Sequence, residues 1–177
     1  HCFKVKMYTV SVRIQKTYSL RHVRTCLEEI LAETWRNFSA LKRGDHILLK
    51  PNLLGAKSPE TAVTTHPVVL EAMIQILLDA GCKITVGDSP AIQRFSTVAK
   101  KAGLQDLEKR YSVHLQEFDA PVEIKGLKGG TFKTFEVSRH CLENDYFINI
   151  AKFKTHSMMG LTLSVKNLFG CIPGKKK

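Results

Sequence analysis

Three short apolar runs constrain the fold more than anything else in this chain, because each is too short for a helix and each stops abruptly on polar residues. Ile47-Leu48-Leu49 leads into Lys50-Pro51-Asn52, and Ile84-Thr85-Val86 leads into Gly87-Asp88-Ser89-Pro90. Phe147-Ile148-Asn149-Ile150 leads into Lys152-Phe153-Lys154-Thr155-His156. Runs of this length suit strands buried on both faces, as in a parallel sheet. Between the first two lies a helix signal, with Thr65 as cap and Pro67 in the first turn. Val69, Met73, Ile76, Leu77 and Ala80 follow at helical spacing, and Gly81 is the stop. An earlier helix is capped by Ser19 and carries Val23, Cys26, Leu27, Ile30, Leu31, Thr34 and Phe38.

Around this rhythm, residues 5–14 alternate as a half-buried strand, 95–102 form a weaker helix and 113–118 another strand. Residues 122–124 and 132–137 flank Gly129-Gly130 as a β-hairpin inserted at the sheet's edge. Residues 158–172 read as a helix, although Leu161, Leu163 and Val165 also alternate as a strand would. The expected fold is α/β: a mostly parallel sheet with flanking helices, Rossmann-like and three-layered, with an inserted hairpin. A length of 177 residues makes this one domain, residues 1–177. The start at His1 without an initiator Met and the terminal Lys175-Lys176-Lys177 read as the N-terminal part of a larger protein.

With 44% hydrophobic and 24% charged residues, disorder and collagen-like repetition are excluded. The longest apolar stretch, 67–80, is interrupted by Glu71, Gln75 and Asp79, far from the ~20 clean residues of a membrane span. Twenty-seven Lys and Arg against sixteen Asp and Glu give +11, which bears on partners and favours an acidic one. Five scattered cysteines without a C-x-x-C pair point to reduced thiols in a cytoplasmic protein rather than a disulfide framework or a zinc site. Nothing in the sequence specifies an oligomeric state.

In open α/β sheets, ligands bind beyond the carboxyl ends of the strands, where loops converge and helix N-termini point. All three strand exits here carry polar groups. Lys50, Asn52, Thr65, His66, Lys154, Thr155 and Asn167 are therefore the expected ligand-binding residues, and His156, Lys166 and Asp88 the expected catalytic ones. A lysine at a buried strand's exit acts as a point charge for phosphate or carboxylate, or snorkels to water. Thr64-Thr65-His66-Pro67 offers an anion cradle or a simple capping turn, and Asp88 either orients a partner or caps its own turn. His156 has the side-chain chemistry for proton transfer near neutral pH. From Tyr146 onward there is no Asp or Glu but six lysines, a charge run that needs a counter-anion. A small anionic molecule is the expected partner. Nucleic acid is the alternative, but the basic segments have little aromatic interleaving and no RNA-binding or zinc-finger signature. No G-x-S-x-G nucleophile element or glycine-rich nucleotide loop is present, so whether the domain catalyses or only binds stays open.

The order of five elements resembles one family. These are Leu48-Leu49-Lys50-Pro51-Asn52-Leu53, Thr64-Thr65-His66-Pro67, Val86-Gly87-Asp88-Ser89-Pro90, Lys152-Phe153-Lys154-Thr155-His156 and Lys166-Asn167-Leu168-Phe169-Gly170. Together they are similar to the family catalogued as domain of unknown function 362. The resemblance implies an uncharacterised domain, often within a longer chain, and many such chains carry a ferredoxin-like module with two [4Fe–4S] clusters. No C-x-x-C-x-x-C run occurs here, so no cofactor is assigned to this chain and a cluster is expected only in a full-length protein. A fainter similarity, through His156, Gly160, Lys166 and Pro173-Gly174, is to the N-terminal domain of nickel-pincer lactate racemases. It implies a histidine that handles a substrate proton and a lysine that anchors a cofactor. Asp88-Ser89 stands where those racemases keep another histidine. The spacing also predicts a bend near Gly160 that brings Lys166 towards His156.

Overall fold

A computed structural model describes residues 10–35, 40–90, 93–126, 128–158 and 160–174. The apolar runs form strands β1 (His46–Pro51), β2 (Lys83–Asp88) and β6 (Tyr146–Ile150), and β3 (Val113–Glu117) completes a four-stranded sheet. Its order is β3-β2-β1-β6 and every pairing is parallel. The register aligns Ile47 with Ile84 and Tyr146, and Leu49 with Val86 and Ile148. These side chains share one face, because alternate residues of a strand point the same way.

That face packs on the helices. Helix α1 (Leu20–Thr34), α2 (Pro67–Asp79), α3 (Phe95–Lys101) and α4 (Leu104–Arg110) contribute Leu31, Leu70, Ile74, Leu77, Val98, Leu104 and Leu107 to one core with Ile47, Leu49, Ile84 and Val86. Helix α2 is apolar nearly all round because α1 covers its outer side. Its one buried acid, Glu71, is paired with Arg110 and accepts the Tyr111 hydroxyl at 2.8 Å. Thr65 is not the cap of α2. His66 takes that place, its Nδ1 accepting the Val68 N–H at 3.2 Å, with Pro67 next in line.

The steps β1-α2-β2 and β2-α3-α4-β3 move in one direction across the sheet. The step from β3 to β6 reverses and lands beyond β1. Right-handed parallel crossovers then put the third connection on the opposite face. This connection is the hairpin β4 (Pro121–Lys125) and β5 (Thr134–Ser138), followed by a 3₁₀ turn at Arg139–Cys141. The second face is mixed: Leu48 and Phe147 are apolar, while towards β3 His46 bonds to Thr85 at 2.8 Å and Gln116 to His140 at 3.2 Å. The expected hairpin exists as its own two-stranded sheet, so on this face the third layer is hairpin and short turns instead of long helices.

Two expected elements differ. Of the predicted strand 5–14, residues 5–9 lie outside the described residues, and 10–14 are irregular. Their polar members, Ser11 and Arg13, bond to Glu33 and Glu29 of α1, while Val10, Val12 and Ile14 face solvent. Ion pairing with a helix, with no strand alongside, accounts for the alternation. The helix over 158–172 is also not formed. Strands β7 (Lys154–His156) and β8 (Gly160–Thr162) make an antiparallel hairpin with His156 opposite Gly160, then come α5 (Ser164–Asn167) and a 3₁₀ turn at Leu168–Cys171. Gly160 has φ +72°, which a continuing right-handed helix does not allow, and the chain folds back there as the spacing predicts. Helix α4 has no counterpart in the sequence reading.

Candidate functional site

The reversal of strand order lies between β1 and β6, and the crevice outside the carboxyl ends at such a point is where α/β sheets bind ligands. Two cavities occupy it. One, of about 480 Å³, is bordered by Lys50, Asn52, Asp88, His156, Lys166 and Asn167. The other, of about 490 Å³, is bordered by Asn52, Val63, Lys154, Thr155, His156 and Lys166. Asn52, His156 and Lys166 belong to both, so the two spaces adjoin. Thr65 and His66 border neither.

Beneath the first cavity, Lys50 and Asp88 form a buried ion pair. Lys50 is 0% exposed, its Nζ 2.7 Å from Asp88 Oδ1 and donating to the Pro51 carbonyl at 3.1 Å. Asp88 also accepts the Leu53 N–H at 2.8 Å and the Ser89 N–H at 2.9 Å. Both groups are thus satisfied inside the protein, and the pair ties the end of β1 to the end of β2. Gly170 closes over it: a Cβ there would overlap the Asp88 carboxylate and the Lys50 ammonium, so only glycine fits. Lys50 and Asp88 thus line the cavity with their charges engaged on each other.

A chain of amides makes the adjoining wall. Asn167, 3% exposed, donates through Nδ2 to Asn149 Oδ1 at 2.7 Å and to the Pro51 carbonyl at 3.2 Å. Its Oδ1 accepts from Asn52 Nδ2 at 2.9 Å. Asn52 Oδ1 in turn accepts from Lys154 Nζ at 2.6 Å, and Lys154 also donates to the Val63 carbonyl. Thr65 cross-links the same strand ends, accepting the Asn52 N–H at 2.9 Å and donating to the Ile150 carbonyl at 2.7 Å. Asn149 and Gly170 were missed as site residues; only the position of Gly170 in the Lys166-to-Gly170 element pointed to it.

The lysines that line the cavities outside the ion pair are Lys154 and Lys166. Lys154 is held by neutral oxygens, and burial lowers its pKa, with the charges of Lys152 and Lys166 adding to the effect and Asp88 opposing it. Lys166 Nζ lies 4.5 Å from the centre of the Phe169 ring, a cation–π contact. The His156 Nδ1 accepts the Met158 N–H at 3.2 Å, which puts the proton of the neutral ring on Nε2. Thr155 is exposed at the rim. His66, stacked on Tyr18 at 3.5 Å, caps α2, and burial and then Lys152 depress its pKa.

Such a wall of lysine, imidazole N–H and amide groups favours anions over cations. Among the described residues no group of three or more His, Cys, Asp or Glu could hold a metal ion, whereas a [4Fe–4S] cluster takes four thiolates.

The model of the family described as domain of unknown function (DUF362) matches residues 47–177, which include the whole sheet except His46, and both cavities. The chain belongs to the DUF362 family. A relative, the thylakoid-associated protein sll1697 of Synechocystis sp. (strain ATCC 27184 / PCC 6803 / Kazusa), is 35% identical over 174 residues. That match takes in 96% of this chain and 52% of the relative, so this DUF362 chain spans about half the length of the curated protein it matches. No described helix is long and apolar enough to cross a membrane.

Proposed function

We propose that this DUF362 domain binds a small anion, a carboxylate or a phosphate, in the paired cavities at the carboxyl ends of β1 and β6. The observation that supports this most is the charge inventory of the wall. Lys154 and Lys166 face the space on neutral supports, and Asp88, the one carboxylate among the described lining residues, is already neutralised by Lys50. Asn52 holds Lys154 in place and the His156 imidazole borders both cavities. An anion in contact with Lys154 also restores the proton affinity that burial lowers.

His156 is the group available for proton transfer to or from such a ligand. A racemase-like exchange with two bases has poor support, because Asp88 stands at the second base's position with its oxygens occupied by Lys50 and two backbone N–H groups. Binding with at most one proton-transfer group is therefore the favoured reading.

Titration calorimetry of the full chain with inorganic phosphate and with acetate tests it. Each of Lys154→Met and Lys166→Met is expected to weaken binding about tenfold, since a charge-assisted hydrogen bond contributes ~1.5–3 kcal/mol. Affinity should change little between 50 and 200 mM salt, whereas a polyanion site loses roughly 10³-fold over that range. No binding of either anion, or equal binding by the variants, overturns the proposal. Steep salt dependence transfers it to a polyanion.

A further inference from the structure

We propose that Cys141 and Cys171 are a redox-active pair that closes reversibly into a disulfide by exchange with an external small-molecule disulfide. Cys141 ends the 3₁₀ turn after β5 and Cys171 ends the one after α5. Distant in sequence, they are brought together in space: both side chains border one cavity, Cys171 acts on the Cys141 thiol as its hydrogen-bonding partner, and both are reduced.

The surroundings suit the exchange. Both sulfurs border a third cavity, of about 460 Å³, whose other walls are apolar, among them Phe135, Val137, Leu168 and Phe169. Neither cysteine is fully buried, so a small disulfide has access from the cavity side. Hydrogen bonding to Cys171 and burial hold the Cys141 thiol protonated, which leaves Cys171 as the attacking sulfur. Cys171 follows Gly170, the residue that seals the Lys50–Asp88 pair.

The steps balance as thiol–disulfide exchange. The Cys171 thiolate attacks one sulfur of the external disulfide, forming a mixed disulfide and releasing one thiol. Cys141 then loses its proton and attacks the Cys171 sulfur, forming the Cys141–Cys171 bond and releasing the second thiol. Two protein thiols are oxidised by two electrons, the external disulfide is reduced to two thiols, and the two protons end on those thiols. The ring so closed contains β6, β7, β8 and α5, the elements that carry Lys154, His156 and Lys166.

The test is to incubate the folded, reduced full chain with oxidised glutathione at pH 8, then to take the intact mass and a non-reducing peptide map. The expected product has lost the mass of two hydrogen atoms, yields a Cys141–Cys171 linked peptide and reverts with dithiothreitol. Its melting temperature should exceed that of the reduced chain, because the ring restricts the unfolded state. Cys141→Ser, which has no resolving thiol, should retain glutathione on Cys171. Absence of the linked peptide from the folded wild-type chain, or its formation only after denaturation, overturns the proposal, and that map decides the matter even if Cys141→Ser does not fold.

Discussion

Replacing Lys50 by Met isolates the ion pair beneath the cavity, since Met keeps most of the apolar stem and removes only the charge. Lys50 is 0% exposed and its Nζ lies 2.7 Å from Asp88 Oδ1, so no water takes its place. Breaking a buried pair from one side costs ~3–5 kcal/mol, chiefly because a charge is left uncompensated. Asp88 keeps the N–H groups of Leu53 at 2.8 Å and Ser89 at 2.9 Å, which puts this case at the low end, about 3 kcal/mol. With a urea slope of about 2 kcal/mol/M, the unfolding midpoint should fall by about 1.5 M at unchanged slope. Adding Asp88→Asn to Lys50→Met removes the stranded charge while its amide oxygen still accepts a backbone N–H. The double variant should therefore regain more than half of the loss. Phosphate affinity of the double variant should stay within about twofold of the parent, because the two charges removed cancel each other inside the pair before any ligand arrives, whereas Lys50→Met alone should bind phosphate more weakly, since it leaves the Asp88 charge unopposed beside the cavity. A Lys50→Met variant within about 0.5 kcal/mol of the parent, or a double variant no more stable than the single one, refutes the assignment of the pair as a structural lock.

Gly170→Ala should destabilise the domain by about 1–3 kcal/mol in the same assay, since the added methyl meets two groups that have nowhere to retreat; stability equal to the parent would mean the closing turn is not seated on the pair. His66 caps α2 as a neutral acceptor, and its depressed pKa means the unfolded chain takes up a proton first as pH falls. Stability should therefore rise with pH up to about 6.5 and be lost progressively below it. His66→Asn, which caps without titrating, should flatten the change in melting temperature between pH 5 and 7.5, and an unchanged slope would place that titration elsewhere.

The strands of the sheet were legible as sequence because burial on both faces demands continuous apolar runs, and Ile47-Leu48-Leu49 and Ile84-Thr85-Val86 have no other comfortable state. Helix α2 and the hairpin β4–β5 were legible for similar local reasons, through Pro67 and through the glycines between two alternating segments. The region after β6 was not. Leu161, Leu163 and Val165 fit both periods, and the choice fell to pairing of His156 with Gly160 across a hairpin, a contact that no local window contains. Residue types at the strand exits likewise announced a polar site, but not the role of each member.

What the sequence determined by itself is the α/β class, the cationic character of the region after β6 and the place in the fold where polar groups collect. Only the tertiary structure decided how those groups are paired. Lys50 and Lys154 leave neighbouring strand exits with the same chemistry, yet one is paired with the Asp88 carboxylate and the other is held by the neutral oxygens of Asn52 and Val63. The same holds for Cys141 and Cys171, which read as scattered thiols and meet only because the β3-to-β6 connection and the turn after α5 converge. Composition and spacing set how many charges and thiols a chain carries. Whether a charge is paired or a thiol has a neighbour depends on distances of a few ångströms between segments far apart in sequence, and those are set by packing alone.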